Sequence, residues 1–156
     1  MTGTVEFVHV ATEAGASPEQ QDAVEAVAGE GLRGDRYFDD AGTFSTEGEE
    51  KRRDVTLIEA EALEQAEDEY DVSFAPGVHR RNVTVRGVGL NRLVGKRFRV
   101  GDVVLEGEEL CEPCNYLERT LEQKGVEDAL VHRGGLRCAI VESGEITVGD
   151  DVVAET

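Results

Sequence analysis

The chain has 156 residues, enough for one domain that buries a core without disulfides. Its 34 acidic residues outnumber 16 basic ones, and the formal net charge of -18 excludes a typical nucleic-acid binder, whose binding face is basic. No apolar run reaches the ~20 residues of a membrane span, and the N-terminus does not resemble a signal peptide. We therefore expect a single cytoplasmic domain, residues 1–156, without a nucleic-acid or membrane partner.

Charge and cysteine content set two further expectations. Lysine occurs only at Lys51, Lys96 and Lys124, and an acid-rich, lysine-poor surface is typical of halophilic proteins, because salt screens the self-repulsion. Disorder is the other explanation of such charge, but the regular Val, Ile and Leu patterns argue against it. The cysteine count of three is odd, which favours reduced thiols over a disulfide framework.

The start of the chain contains one clear strand and one ambiguous segment. Residues 5–10 alternate between apolar and polar side chains, which predicts a strand with one buried face. The stretch 17–20, Ser-Pro-Glu-Gln, is typical of a helix start. The stretch from Ala23 to Ala28 fits either a continuation of that helix or a short strand.

A glycine-rich segment follows at residues 29–37. Three glycines within six positions indicate a backbone that turns tightly or approaches another group closely. Arg33 and Arg36 flank Asp35, so this loop is a candidate anion site in which Asp35 orients a guanidinium. The alternative is a glycine-rich connection with surface charges, and these residues alone do not decide between the two.

The next two elements are a helix and a strand. Thr56 and Glu59 fit a capping box, and apolar residues then recur at helical spacing, which predicts a helix to about Tyr70. Residues 78–85 predict a strand with a polar first half. Alternation puts Arg80, Asn82 and Thr84 on one side and Arg81, Val83 and Val85 on the other. Arg80 and Asn82 therefore face a cleft or, as the alternative, form a solvated strand end.

Two later segments, residues 95–106 and 144–155, resemble each other. Each reads as a short strand, a Val-Gly-Asp turn and another short strand, which predicts two β-hairpins. A buried strand is also predicted from Leu136 to Val141. Together these strands predict a mostly β domain with flanking α-helices, and closure into a barrel would remove exposed edges.

The Cys-Glu-Pro-Cys motif admits three interpretations. A zinc site would use Cys111, Cys114, His132 and Cys138. A thioredoxin-like redox pair is disfavoured, because no proline follows Pro113 and hairpin strands, not a βαβ unit, precede the motif. The third interpretation is one reactive or metal-ligating cysteine. Asn115 or Cys114 can open a helix, and Cys114 would then lie at a helix N-terminus, where the helix dipole favours a thiolate.

Several motifs, in order from about Val5 to Val153, resemble those of the molybdenum cofactor sulfurase C-terminal (MOSC) domain family. They are Gly-Leu-Arg-Gly-Asp-Arg-Tyr at 31–37, Val-Thr-Leu-Ile-Glu at 55–59, Arg-Arg-Asn-Val at 80–83, Leu-x-Gly-x-x-Phe-x-Val-Gly at 93–101, Cys-x-Pro-Cys at 111–114, Arg-Gly-Gly-Leu-Arg at 133–137 and Gly-x-Ile-x-Val-Gly-Asp at 144–150. Each motif is weak alone, but the ordered set is specific.

This resemblance implies a MOSC-type β-barrel, similar to the pyruvate-kinase β-barrel, and a strand for residues 23–28. It also implies binding of the molybdenum cofactor (molybdopterin), with the Cys114 thiolate as the molybdenum ligand and catalytic residue. Pyridoxal phosphate enters only through the sulfurases, which carry a separate domain for it. The residues expected to hold the cofactor or lie beside it are Arg80, Asn82, Arg33, Asp35, Arg36, Arg81, His132 and Arg133.

Two functions follow from the resemblance. The first is an oxidoreductase that reduces N- or S-oxygenated small molecules, with electrons from a partner protein, since the chain lacks a ferredoxin-like cysteine set. The second is a carrier that receives a persulfide on Cys114 from a sulfur-donor protein, or passes cofactor on, without turnover of its own. A zinc-stabilised β-domain is the remaining alternative.

Overall fold

The computed structural model describes residues 2–10, 19–28, 31–33, 55–70, 81–111 and 134–154. These residues form eleven strands, one α-helix and a short 3-10 helix at Leu90–Leu93. The strands are β1 (Thr2–Val10), β2 (Glu19–Gln21), β3 (Ala23–Val27), β4 (Gly31–Leu32), β5 (Val55–Glu59), β6 (Val83–Arg86), β7 (Arg97–Val100), β8 (Val103–Leu110), β9 (Leu136–Glu142), β10 (Gly144–Thr147) and β11 (Asp151–Ala154). Helix α1 spans Ala60–Tyr70 and follows β5 directly.

Seven strands close into a barrel in the order β11, β7, β8, β9, β5, β6 and β1, with β1 pairing back to β11. The closing pair is antiparallel and includes Gly3 opposite Val152. Only β5 and β6 run parallel within this ring, with Leu57 opposite Val83. Strand β2 extends the sheet beside the end of β1. The predicted mostly β barrel is therefore confirmed.

Alternating side chains fill the barrel. The interior cluster takes Val55 and Leu57 from β5 and Val83 and Val85 from β6, as the alternation of residues 78–85 predicted. The other large members are Val5, Val8, Phe98, Leu105, Leu136 and Ile140. A register shift between Val5 and Phe7 in β1 has the form of a β-bulge, which lets Val5 and Val8 both reach the interior.

Helix α1 covers the outer face of β5 and β6. Its buried residues are the small Ala60, Ala62 and Ala66, which allow a close approach to the sheet. On the strands beneath, Ile58 and Thr84 alternate with barrel-facing residues and are nevertheless buried, at 0% and 2% exposure. Among the described residues, no helix has the length and apolar character needed to cross a bilayer.

A second sheet of three strands, in the order β10, β3, β4, packs onto the barrel core. Ile146 lies opposite Val24, and Ala26 opposite Leu32. All four side chains belong to the main hydrophobic cluster. The strand expected for residues 23–28 is thus confirmed. The helix start predicted at 17–20 is wrong where it can be seen, because Glu19 and Gln20 pair with β1.

The capping box predicted at Thr56 and Glu59 is also wrong. Residues 55–59 form strand β5, and the helix begins at Ala60. Val55, Leu57 and Ile58 are fully buried between the barrel interior and α1, so burial of β-branched and apolar residues overrides the local capping pattern.

The two predicted hairpins turn out differently. Strands β7 and β8 form one, with Val100 opposite Val103 and Gly101 at a φ of 58° in the turn. Strands β10 and β11 do not, because β10 pairs with β3 whereas β11 pairs with β1 and β7. The second Val-Gly-Asp turn therefore carries the chain from the small sheet to the barrel.

Candidate functional site

The structure describes three of the predicted site residues, Arg33, Arg81 and Asn82. The other six lie outside the described residues and stay predictions: Arg80, Asp35, Arg36, Cys114, His132 and Arg133. The helix predicted from Cys114 onward is likewise outside them. The described residues next to these segments are Arg81, Gly134 and Cys111, and their contacts are given below.

Arg81 lies just before β6 and holds the start of β9. Its guanidinium Nε donates a hydrogen bond to the carbonyl oxygen of Gly134 at 2.6 Å. Gly134 in turn lies against Cys111, so closely that a Cβ at Gly134 would overlap the Cys111 carbonyl oxygen. Along the chain, Arg80 precedes Arg81, Arg133 precedes Gly134, and Cys114 follows Cys111 by three residues.

The two glycines at this place are required by the backbone. Gly135 has a φ of 106°, and its carbonyl accepts a hydrogen bond from the Cys111 amide at 2.8 Å. A Cβ at Gly135 would overlap the carbonyl oxygen of Leu57. The Arg-Gly-Gly motif therefore lets β9 begin in direct contact with the backbones of β5 and β8.

Asn82 joins β5, β6 and β1 through its side-chain amide. Its Oδ1 accepts hydrogen bonds from the Thr56 amide at 3.0 Å and the Thr56 hydroxyl at 3.1 Å. Its Nδ2 donates to the carbonyl oxygen of His9 at 3.1 Å. The backbone of Asn82 bonds the same two residues, since its N–H donates to Thr56 and its carbonyl accepts from the His9 amide.

The partner of Asn82 on β5 was missed from the sequence. Thr56 was assigned to a helix cap, whereas it lies on the outer face of β5. The Val-Thr-Leu-Ile run is rich in β-branched residues, and that composition is the signal that would have indicated a strand. On its other side, Thr56 lies opposite Arg137 of β9, whose Nη1 donates to Glu109 of β8 at 2.7 Å. Polar residues thus cross the outer face of neighbouring barrel strands.

His9 is a second residue that sequence reasoning did not single out. It is 2% exposed and its ring centroid lies 6.1 Å from that of Phe7. Burial lowers the pKa of the His9 imidazole, because the charged form loses its hydration. Burial therefore favours the neutral form of the imidazole beside Asn82.

Arg33 lies on the three-stranded sheet and not at the start of β6. Its Nε donates to the carboxylate of Glu25 at 2.9 Å, and both side chains are more than half exposed. Its backbone N–H also bonds the carbonyl of Glu25. The contact that the structure gives this guanidinium is a surface ion pair, and its proposed role toward an anion stays a prediction.

The two described cysteines occupy different environments. Cys138 lies in the barrel core opposite Gly107, whereas the Cys111 amide meets Gly135, three residues away along β9. The other two residues of the zinc alternative, Cys114 and His132, lie outside the described residues, so that alternative stays a prediction. The described residues hold no group of three or more His, Cys, Asp or Glu suited to a metal.

Comparison with known proteins identifies relatives of this fold. The MOSC domain family matches residues 33–153. The YUAD protein from Bacillus subtilis superposes with a TM-score of 0.82 at 21% identity, over 100% of this chain and 97% of that one. YiiM from Geobacillus stearothermophilus gives 0.73 at 14% over 99% and 75%, and YiiM from Escherichia coli gives 0.71 at 16% over 100% and 70%. No curated protein sequence matches significantly.

At these identities the solved structures establish a shared fold and not a shared activity. The family match is independent of them and spans most of the chain, from Arg33 at the end of β4 to Val153 in β11. It also covers the contact between Arg81, Gly134 and Cys111. The chain belongs to the MOSC domain family.

Proposed function

We propose that this protein binds the molybdenum cofactor, with the Cys114 thiolate as ligand of the molybdenum, and acts as an oxidoreductase or in sulfur handling. One observation carries the proposal. The Arg81 side chain, the Gly134 carbonyl and the Cys111 backbone are in contact, and the three segments next to them contain Arg80, Arg133 and Cys114. This contact supports the proposal that soft sulfur and positive charge are supplied to one site.

The chemistry of these donors fits the cofactor. Thiolate is a soft ligand that suits molybdenum, and arginine binds the phosphate of a pterin through charge-assisted hydrogen bonds. Arg81 adds a permanent positive charge at the start of β6, in a chain whose formal net charge is -18. A cation at this position in so acidic a protein favours an anionic partner.

The roles of the remaining residues follow from this placement. Arg80, Arg81 and Arg133 would hold the phosphate and pterin, and His132 would lie near the substrate. Arg33, Asp35 and Arg36 would form a second anion-holding loop, with Asn82 at the pterin end of β6. When bound, molybdenum supplies a metal that changes oxidation state, which suits removal of oxygen from an N- or S-oxygenated small molecule.

Either proposed activity requires a partner protein. Reduction of a small molecule needs an electron-donor protein, and a sulfur-handling role needs a sulfur-donor protein. The proposed unit is the single domain of residues 1–156.

Metal analysis of protein from a molybdenum-replete host tests the proposal. Wild type, Cys114→Ala and the control Cys138→Ala are purified in parallel, and molybdenum and zinc are measured per chain. Cys138→Ala removes a buried sulfur from the barrel core and controls for the general cost of losing a cysteine. We expect molybdenum in wild type and in Cys138→Ala, and its loss in Cys114→Ala.

Two other outcomes would replace the proposal. A persulfide mass shift on Cys114 without molybdenum would identify a sulfur carrier. Zinc near one per chain, lost in Cys138→Ala, would identify a zinc-stabilised domain.

A further inference from the structure

We propose that Asn82 is a positioning residue for Arg81. Its amide fixes the start of β6 to β5 and β1, and thereby holds Arg81 where it meets Gly134. This assignment departs from the role that the family resemblance gives Asn82. It rests on the proposed function only for its effect on cofactor binding, since the arrangement of Arg81 is a property of the protein alone.

The hydrogen-bonding capacity of the Asn82 side chain supports the assignment. An amide oxygen has two lone pairs, and both are used by Thr56, through its N–H and its hydroxyl. The amide nitrogen donates one of its two N–H groups to the carbonyl of His9. Turning this side chain toward a cofactor would break all three bonds in a half-buried place, where water replaces them poorly.

The Asn82 side chain adds to the hydrogen bonds that its backbone makes with the two neighbouring strands. Asn82 directly precedes the first residue of β6. Thr56 and His9 are each hydrogen-bonded both to the backbone of Asn82 and to its side chain. Asparagine is suited to this, because its amide offers an acceptor toward Thr56 and a donor toward His9. Aspartate could accept from Thr56 but would set a negative charge against the His9 carbonyl.

The constraint passes to the cofactor segments through one chain of contacts. Arg81 and Asn82 are consecutive, so their Cα atoms are about 3.8 Å apart and the fixed backbone of Asn82 restricts the direction of Arg81. The Arg81 Nε donates to Gly134, and Gly134 lies against Cys111. Loosening Asn82 should therefore loosen the hydrogen bond of the Arg81 side chain.

Three variants isolate this effect. Asn82→Asp keeps the size and acceptor of the side chain and removes the donor. Thr56→Val keeps the shape of Thr56 and removes the hydroxyl that bonds Asn82. Thr56→Ser restores that hydroxyl and serves as the conservative rescue. Thr56→Val leaves the Asn82 side chain in place, so it separates positioning from direct ligation.

The first measurement uses protein without cofactor. Proton NMR follows the Arg81 Nε–H, whose exchange with water is slowed by its bond to Gly134. We expect about tenfold faster exchange in Asn82→Asp and in Thr56→Val, the effect of losing about one hydrogen bond, and rescue in Thr56→Ser. An unchanged Arg81 signal in both Asn82→Asp and Thr56→Val would overturn the inference, and Thr56→Val still decides if Asn82→Asp does not fold.

The second measurement is the pterin content of protein from a molybdenum-replete host, read as fluorescence of the oxidised pterin. Positioning predicts that Thr56→Val and Asn82→Asp lower the content by similar factors and that the double variant loses little more. If Asn82 binds the cofactor directly, the pterin content should fall in Asn82→Asp and not in Thr56→Val. That result would overturn the inference. Wild type without pterin would overturn the proposed function, while the Arg81 exchange would still decide the role of Asn82.

Discussion

The two ends of β6 are each tied to neighbouring elements by one polar side chain, but with opposite chemistry. At the start, the neutral and half-buried Asn82 bonds Thr56 of β5 and His9 of β1. At the end, the charged and 42% exposed Arg86 bonds Glu6 of β1 and Glu64 of α1, the latter through both Nη atoms at 3.1 and 2.6 Å.

The two ends of β6 differ in how well water can replace the hydrogen bonds of Arg86 and of Asn82. The hydrogen bonds that Arg86 donates to Glu64 and Glu6 raise the pKa of Arg86 above its ordinary value, and they lower the pKa of Glu64. The side chains are 57% exposed at Glu64, 42% at Arg86 and 30% at Glu6, so solvent and salt recover much of the interaction when the pairs are broken. The hydrogen bonds of the Asn82 side-chain amide are half-buried, so removing this side chain would leave its partners on Thr56 and His9 poorly solvated. Substitution of Asn82 at the start of β6 should therefore cost more stability than substitution of Arg86 at its end.

The largest expected effect is at Gly135, which supports the Asn82 end. Gly135→Ala combines strain at a φ of 106° with overlap of the Leu57 carbonyl. Gly149→Ala is the matched control, because Gly149 has a φ of 97° with nothing within 4 Å of its Cβ direction. The control should cost about 1–2 kcal/mol and Gly135→Ala roughly 1–3 kcal/mol more, measured by urea unfolding. Equal costs would show that the close backbone contact is absent.

Removal of the Asn82 amide should have the next largest effect. Asn82→Ala takes away three side-chain hydrogen bonds, and we expect a loss of about 2 kcal/mol in the free energy of unfolding. Because the amide is neutral, the loss should persist at high salt. A loss that disappears at about 1 M salt, where charges are screened more strongly than at physiological ionic strength, would contradict this account.

Glu59 should show a smaller effect with a definite pH dependence. It lies opposite Val85, toward the end of β6, and its Oε2 accepts from the Leu90 amide at 3.2 Å. Burial raises the pKa of Glu59, with the bond to Leu90 opposing the rise and Glu61 adding to it. The folded protein thus binds the proton more tightly, so its stability falls as pH rises through the raised pKa.

Glu59→Gln keeps an acceptor for Leu90 and removes this titration. The variant should lose less stability than wild type as pH rises from the acidic range toward neutrality, measured by thermal unfolding across that range. Glu61→Gln should weaken the pH dependence less than Glu59→Gln does, because the Glu61 charge is one of the causes that raise the pKa of Glu59. The same pH profile in Glu59→Gln and wild type would contradict the burial of the carboxylate.

The smallest effect is expected for Arg86→Ala. Its loss breaks the ion pairs with Glu6 and Glu64, yet both partners are exposed enough to be hydrated. The decrease in stability should be smaller than for Asn82→Ala and should vanish at high salt. A larger decrease than for Asn82→Ala would reverse the comparison between the two ends of β6.

The sequence predicted the barrel strands best where side chains alternate. Strands β1 and β9 and the hairpin of β7 and β8 follow that pattern, because one face is buried and the local turn fixes the pairing. The second Val-Gly-Asp turn has the same local sequence, but β11 closes the barrel against β1. That pairing joins opposite ends of the chain, which no local pattern can indicate.

The site was only partly predictable for the same reason. Asn82 was identified from the Arg-Arg-Asn-Val motif, but its partners Thr56 and His9 lie 26 and 73 residues away. The capping pattern at Thr56 and Glu59 was misleading, because a spacing of three residues does not separate a strand from a helix over so short a run. The cytoplasmic location and the halophilic character stay predictions.

X-ray absorption at the molybdenum edge tests the central claim most directly. The claim is that a protein thiolate from residue 114 binds molybdenum beside Arg81 and Gly134. Wild type and Cys111→Ala should show the same number of sulfur neighbours around molybdenum, and Cys114→Ala should show one fewer or contain no metal. Wild type without molybdenum, or an unchanged sulfur shell in Cys114→Ala, would contradict the account.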